Sequence, residues 1–139
     1  MRVELLFASN YLKAVEFQGR DVTLTITGVR LEELEDTKGE KKRKGIVAFK
    51  ETEKRLVLNR TNAMCIARML GNETDAWAGK RVTLYPIPHK DPQTKEEGFA
   101  IRVRGSPDIS ADIRFQLQLP RKKPQAVTLY ATGKKGQNQ

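Results

Sequence analysis

The side chains with most to offer chemically are cationic, and they come in runs. Lys41, Lys42, Arg43 and Lys44 stand together, Lys50, Lys54 and Arg55 follow, and Arg102 and Arg104 recur at the two-residue spacing of one strand face. Such residues bind polyanions: they track phosphates and release counterions, while an outward ring such as Tyr85 offers a base something to stack on. Other chemistry has little material. Cys65 and His89 are the only cysteine and the only histidine, so an intrachain disulfide and a four-ligand Cys/His zinc site are ruled out. Glu73 and Asp75 suit a helix start better than a paired-carboxylate acid and base, and no Ser/His/Asp set is recognisable. No catalytic residue, metal ligand or cofactor is therefore expected.

Each cationic group also has a plainer reading. A run such as "KGEKKRKG" serves equally as a solvated loop, and Arg102 and Arg104 can pair with neighbouring acids for little gain. The balance of 26 Lys+Arg against 17 Asp+Glu, a net charge of +9, favours nucleic acid as partner, then an anionic membrane or acidic protein. The length of 139 residues suits one domain. No apolar run spans a bilayer and the N-terminal apolar stretch is too short for a signal peptide, so a cytoplasmic protein without membrane contact is expected.

The elements that position these residues follow from periodicity. Val22, Leu24 and Ile26 alternate with threonines in a first strand, which Gly28 allows to bend and "VRLEEL" prolongs. The apolar-free "EDTKGEKKRK" reads as a loop, "GIVAFKE" as a second strand and "RLVLN" as a third. Ala63, Ile66, Met69 and Leu70 then fall at helical spacing, with Asn59 or Thr61 as cap and Gly71 as stop. "NETDAWAG" is a short turn delivering Trp77 to the core, "GKRVTLYPIP" a fourth strand, "HKDPQTKEEG" a loop and "FAIRVRG" a fifth strand. "GRDVTLT" and "GKRVTLY", nearly alike, open the first and fourth strands; with nothing around them repeating, they read as shared local chemistry rather than a duplication.

Strand, strand, strand, helix, strand, strand is the order of a mainly β, five-stranded OB-like Greek-key barrel with one α-helix between strands three and four. A small open sheet with one helix is the alternative. The domain map has a lead-in over 1–20, the barrel over 21–105, a C-terminal β extension over 106–132 and a disordered basic tail over 133–139. Parity turns Val82, Leu84, Ile101, Val103, Leu56 and Leu58 inward, leaving Arg81, Thr83, Tyr85, Arg102, Arg104 and Arg55 outward. The second strand reads both ways, with Ile46 and Ala48 inward preferred over Val47 and Phe49. In an OB barrel the ligand lies on the second and third strands between two loops, here carrying Lys38 and Lys41 to Lys44, and His89, Lys90 and Lys95.

Over "LVLNRTNAMCIARMLGNETDAWAGKRVTLYP" with "AIRVRG", and upstream in "YLKAVEFQGRDVTLTI", the chain resembles a family of small proteins encoded by bacteriophages and prophages. The resemblance implies phage DNA metabolism or a phage–host encounter in a bacterial cytoplasm, and an OB-like fold there is similar to single-stranded DNA-binding proteins. Many of those end in an acidic tail that recruits partners, whereas this chain reads "ATGKKGQNQ". The expectation is a non-enzymatic module binding single-stranded DNA without sequence preference, in replication or recombination. Lys41, Lys42, Arg43, Lys44, Lys50, Lys54, Arg55, Arg102 and Arg104 track phosphates in it, and Tyr85 stacks. The alternative is a protein that binds and modulates a host or phage protein, including a replication or recombination partner.

Overall fold

Alternating apolar and polar residues give a chain that is mainly strand, seen in a computed structural model that describes residues 10–35, 38–91 and 94–133. The elements are β1 (Val22–Glu35), β2 (Lys41–Phe49), β3 (Leu56–Val57), α1 (Arg60–Leu70), β4 (Arg81–Lys90), β5 (Glu97–Ser106), β6 (Ile113–Leu117) and β7 (Gln125–Ala131). Among the described residues the strands form one open seven-stranded sheet in the order β3-β2-β1-β4-β5-β7-β6, antiparallel except for β5 with β7. The mainly β class and the helix between the third and fourth strands are as expected, whereas the sheet has seven strands rather than five and takes the open form that was the alternative to a barrel.

Why the sheet stays open is visible at its seam. β3 is only two residues long, and the backbone of Asn10 and Leu12 already bonds to Arg55 just before it. Across the gap, the buried Asn62 of α1 donates its side-chain amide to the Ile101 carbonyl of β5 at 2.9 Å. At its far end β5 pairs in parallel with β7, Gly105 with Tyr130 and Ser106 with Ala131.

β1 carries the architecture. Its first part, Val22 to Thr25, pairs with β4, and its remainder pairs with β2 as far as Glu35 opposite Lys41. The register shifts between Ile26 and Gly28, the bulge that bends a strand serving two neighbours. The expected loops at 35–44 and 89–98 are shorter than their polar composition suggested, because β1, β2, β4 and β5 all run on into them. Leu5, Leu6 and Phe7 of the expected lead-in, and all but Gly133 of the expected tail, lie outside the described residues.

The core joins Leu24, Ile26, Val47, Phe49, Val82, Leu84 and Val103 from the sheet to Cys65 and Ile66 from α1 and to Phe17 and Trp77. Val47 and Phe49, not Ile46 and Ala48, therefore face it, which corrects the preferred parity of β2. Ile46 is buried as well, but on the opposite face, in a small cleft with Arg30, Ala48 and Arg55. Two buried neighbours on one strand hide the period that sequence reading relies on. Asn59 caps α1 by accepting from the Asn62 amide at 2.8 Å, and Trp77 donates its indole N–H to the Gly71 carbonyl.

The repeated runs are direct partners. Thr23 pairs with Thr83, flanked by Val22 with Leu84 and Leu24 with Val82, so equivalent positions are related by a local two-fold through the Thr23–Thr83 pair. The two hydroxyls are 2.9 Å apart. The likeness also reaches upstream: each strand follows a 3-10 turn, Ala14–Phe17 or Thr74–Trp77, ending in a buried aromatic, and then a left-handed glycine, Gly19 or Gly79. The surroundings therefore do repeat, in structure more than in letters.

Asp108 ties the start of β4 to the segment beyond β5. Its carboxylate accepts from the Arg81 amide and guanidinium, each at 2.7 Å. The Arg81 guanidinium holds the Asp108 carboxyl below the usual carboxylate range, against a smaller opposing effect of burial. A depressed value in the folded state means stabilisation that is present at neutral pH and lost as pH falls through it. Asp108→Asn is expected to lower Tm at pH 7 and to converge on the parent protein as pH falls through the depressed range in which Asp108 becomes protonated, a trend that thermal melts over a descending pH series will check.

Candidate nucleic-acid interface

The structure divides the expected cationic track into two groups at opposite ends of β1. Lys41 to Lys44 lie on β2, not in a loop, opposite Glu35, Leu34, Glu33 and Glu32: Lys41 faces Glu35, Arg43 faces Glu33 and Lys44 faces Glu32. Opposite charges directly across a ladder stabilise the pair. Residues 30–44 hold six basic and five acidic side chains, so this arm carries a net charge of only +1. What reads as a basic loop is half of a charge-matched hairpin.

The neighbouring cations are also engaged. Arg55 donates to Glu32 at 3.1 Å, and Arg30 takes the same carboxylate oxygen at 2.6 Å. Lys54 is ion-paired with Glu16. Lys50 is exposed beside Glu51, whose carboxylate accepts from the Thr25 amide and hydroxyl, both at 2.7 Å. Thr25 holds the Glu51 carboxyl below its ordinary value. The cleft of about 780 Å³ at this place is lined by Glu32, Glu51 and Glu53 as much as by Lys50 and Arg55, a poor lining for a polyanion.

Tyr85, Arg102 and Arg104 come together at the other end. Tyr85 of β4 is the register partner of Arg102 on β5, so both point away from the core. The Arg104 guanidinium lies over the Tyr85 ring, 3.8 Å from its centroid, and its Nε is 3.1 Å from Asp21 just before β1. Along β1, Asp21 and Glu32 are eleven positions apart in number, roughly 35 Å of strand. The two groups are therefore separate patches of the surface.

Two functional candidates escaped the sequence reading because the path beyond Gly105 could not be inferred from it. β7 lies beside β5, and the Thr83–Thr132 hydroxyl contact at 2.8 Å shows that Thr132 shares the outer face of Thr83. Tyr130, two residues earlier, is on that face too and is 44% exposed. Arg114 of β6 sits in register with Thr128, again outward. The outer face of β4, β5, β7 and β6 thus presents Tyr85, Arg102, Arg104, Tyr130 and Arg114, and the β6–β7 turn adds Arg121, Lys122 and Lys123, all exposed. Residues 113–133 contain four basic and no acidic side chains. Composition alone could have flagged that imbalance.

The Cys65 thiol is buried and pushed up by burial, slightly offset by Arg102, which is the wrong direction for a nucleophile. Among the described residues no group of three His, Cys, Asp or Glu side chains could hold a metal, and no helix is long and apolar enough to cross a membrane. Comparison with protein-family models, curated proteins and solved structures gives no match.

Proposed function

We propose that the protein is a non-enzymatic module that binds nucleic acid, preferably single-stranded DNA, with little sequence specificity, on the outer face of β4, β5, β7 and β6. The observation that carries the reading is the excess of positive charge there, four basic and no acidic side chains over residues 113–133 beside Arg102, together with outward tyrosines on β4 and β7, the two strands that flank β5. Phosphates supply most of the binding energy in such a complex, and rings supply sequence-tolerant stacking. The plan of β1 to β5 supports an OB-type module: an OB fold is itself a partly open five-stranded barrel, and here β1 bends to pair both β2 and β4, with the helix between β3 and β4. The resemblance to phage proteins suggests replication or recombination in a bacterial cytoplasm as the setting.

A second reading is favoured by a separate feature. The seam between β3 and β5 is a groove of about 650 Å³ lined by Leu12, Val15, Leu56 and Phe99, and Phe99 is 58% exposed. A protein partner would use such a surface. Titration of a labelled oligothymidylate over a salt series separates the two. Nucleic-acid binding predicts an affinity that falls about a thousandfold between 50 and 200 mM salt for a protein neutralising about seven phosphates of a single strand. Absence of binding at low salt would reject this function and leave the protein-partner reading.

A further inference from the structure

The ring at the centre of the proposed interface is not the surface a base would meet. Arg104 is the extra residue at a register shift: Thr83 pairs with Gly105 and Leu84 with Val103, leaving Arg104 without a cross-strand partner on β4. A bulge of this kind re-aims a side chain. Here it lays the guanidinium on Tyr85 at 3.8 Å, while Asp21 accepts a hydrogen bond from Nη2 at 3.3 Å and holds its other carboxylate oxygen 3.1 Å from Nε as an ion pair. The cation is fixed from below by a ring and from one edge by a carboxylate. Its side chain nonetheless remains 36% exposed.

We infer that Arg104 is the stacking platform of this interface: a nucleobase lies on the free face of its guanidinium, Tyr85 supports it from beneath, and Asp21 positions it. The inference rests on the nucleic-acid reading above and replaces Tyr85 as the contact residue. A guanidinium is flat, delocalised and weakly hydrated, so it stacks on π-faces as a lysine ammonium does not. Holding it in place before binding removes the ordering cost that a free arginine would carry. Nη1 keeps its donors free for a phosphate or a base edge. An exposed ion pair of this type contributes little to folding, so its order is better explained by the surface it presents. Arg102, in register with Tyr85, supplies charge beside it.

The test compares oligothymidylate with an abasic strand of equal length, which keeps the phosphates and removes the bases. The parent protein is expected to prefer the thymidine strand by about fivefold or more. Arg104→Lys keeps the charge and loses the flat face: its preference should fall to within about twofold while salt-dependent binding of the abasic strand persists. Tyr85→Leu should do the same and Tyr85→Phe should not, with thermal melts confirming that each variant is folded. Equal affinity of the parent protein for both strands, with salt dependence intact, would overturn the inference and leave the proposed function standing. Preference undiminished in Arg104→Lys would overturn it as well. No binding of either strand at low salt would overturn both.

Discussion

Gly105→Ala is expected to be the most damaging small substitution in the chain. A Cβ built at Gly105 would lie 1.9 Å from the Tyr130 carbonyl oxygen and 2.6 Å from its amide nitrogen, both backbone atoms that cannot rotate away. The methyl group therefore forces β7 off β5 at the only place where the two are paired, Gly105–Tyr130 and Ser106–Ala131. The C-terminal strands bring Leu117, Leu129 and Ala131 into full burial, and their displacement exposes all three. A loss of about 3–5 kcal/mol is expected, at the upper end for single substitutions. Gly28→Ala is the matched control: nothing lies within 4 Å of its Cβ, and a change within about 0.5 kcal/mol is expected. Urea denaturation of the two variants reads both. A Gly105→Ala protein as stable as the parent would contradict the parallel pairing of β5 with β7.

The second large effect concerns binding. Arg121, Lys122 and Lys123 occupy the exposed β6–β7 turn, with no acid between residues 113 and 133 to compensate them. Changing all three to glutamine should reduce affinity for oligothymidylate on the order of a hundredfold at low salt. It should also flatten the salt dependence by about two units of slope, at roughly 0.7 per phosphate contact on a single strand. The fold should be unaffected, since none of the three is buried. Neutralising Lys42, Arg43 and Lys44 removes as much formal charge but acts on an arm already matched by Glu32, Glu33 and Glu35. A change of less than about tenfold is expected there. Reversing the charge on that arm would set acid against acid across the ladder and is predicted to loosen the hairpin. Salt titrations of both neutralised variants distinguish the interface proposed here from one on β2.

Much of the fold could be read from letters because single-faced burial leaves a period. Val22, Leu24 and Ile26, Val82 with Leu84, and Ile101 with Val103 alternate and are core residues, while Asn59, Gly71 and Trp77 mark the helix and the turn after it. The reading fails where burial is two-faced or absent. Ile46 and Val47 are both buried, one beneath Arg30 and Arg55 and one in the core, so β2 shows no alternation. Lys41 to Lys44 form strand because of the acids across from them, a cross-strand cause that no local period records. Closure failed as an expectation for a third reason. The edge of β5 that would seal a barrel is taken by Asn62 and β7, and β7 arrives from far along the chain. The same long-range pairing hid Arg114 and Tyr130 from the candidate site. Tyr85 and Arg102 could be placed outward from parity, whereas the bulge that lays Arg104 on Tyr85 leaves no trace in the letters.

The central claim is that single-stranded nucleic acid lies across β4, β5, β7 and β6. Photo-cross-linking to a halogenated oligonucleotide, with the attached peptides mapped by mass spectrometry, tests it most directly. Adducts are expected on the segments carrying Arg104 and Tyr130, lost in competition with unlabelled strand and at high salt. Adducts confined to β2 and to the cleft around Tyr11 and Arg55 would contradict it.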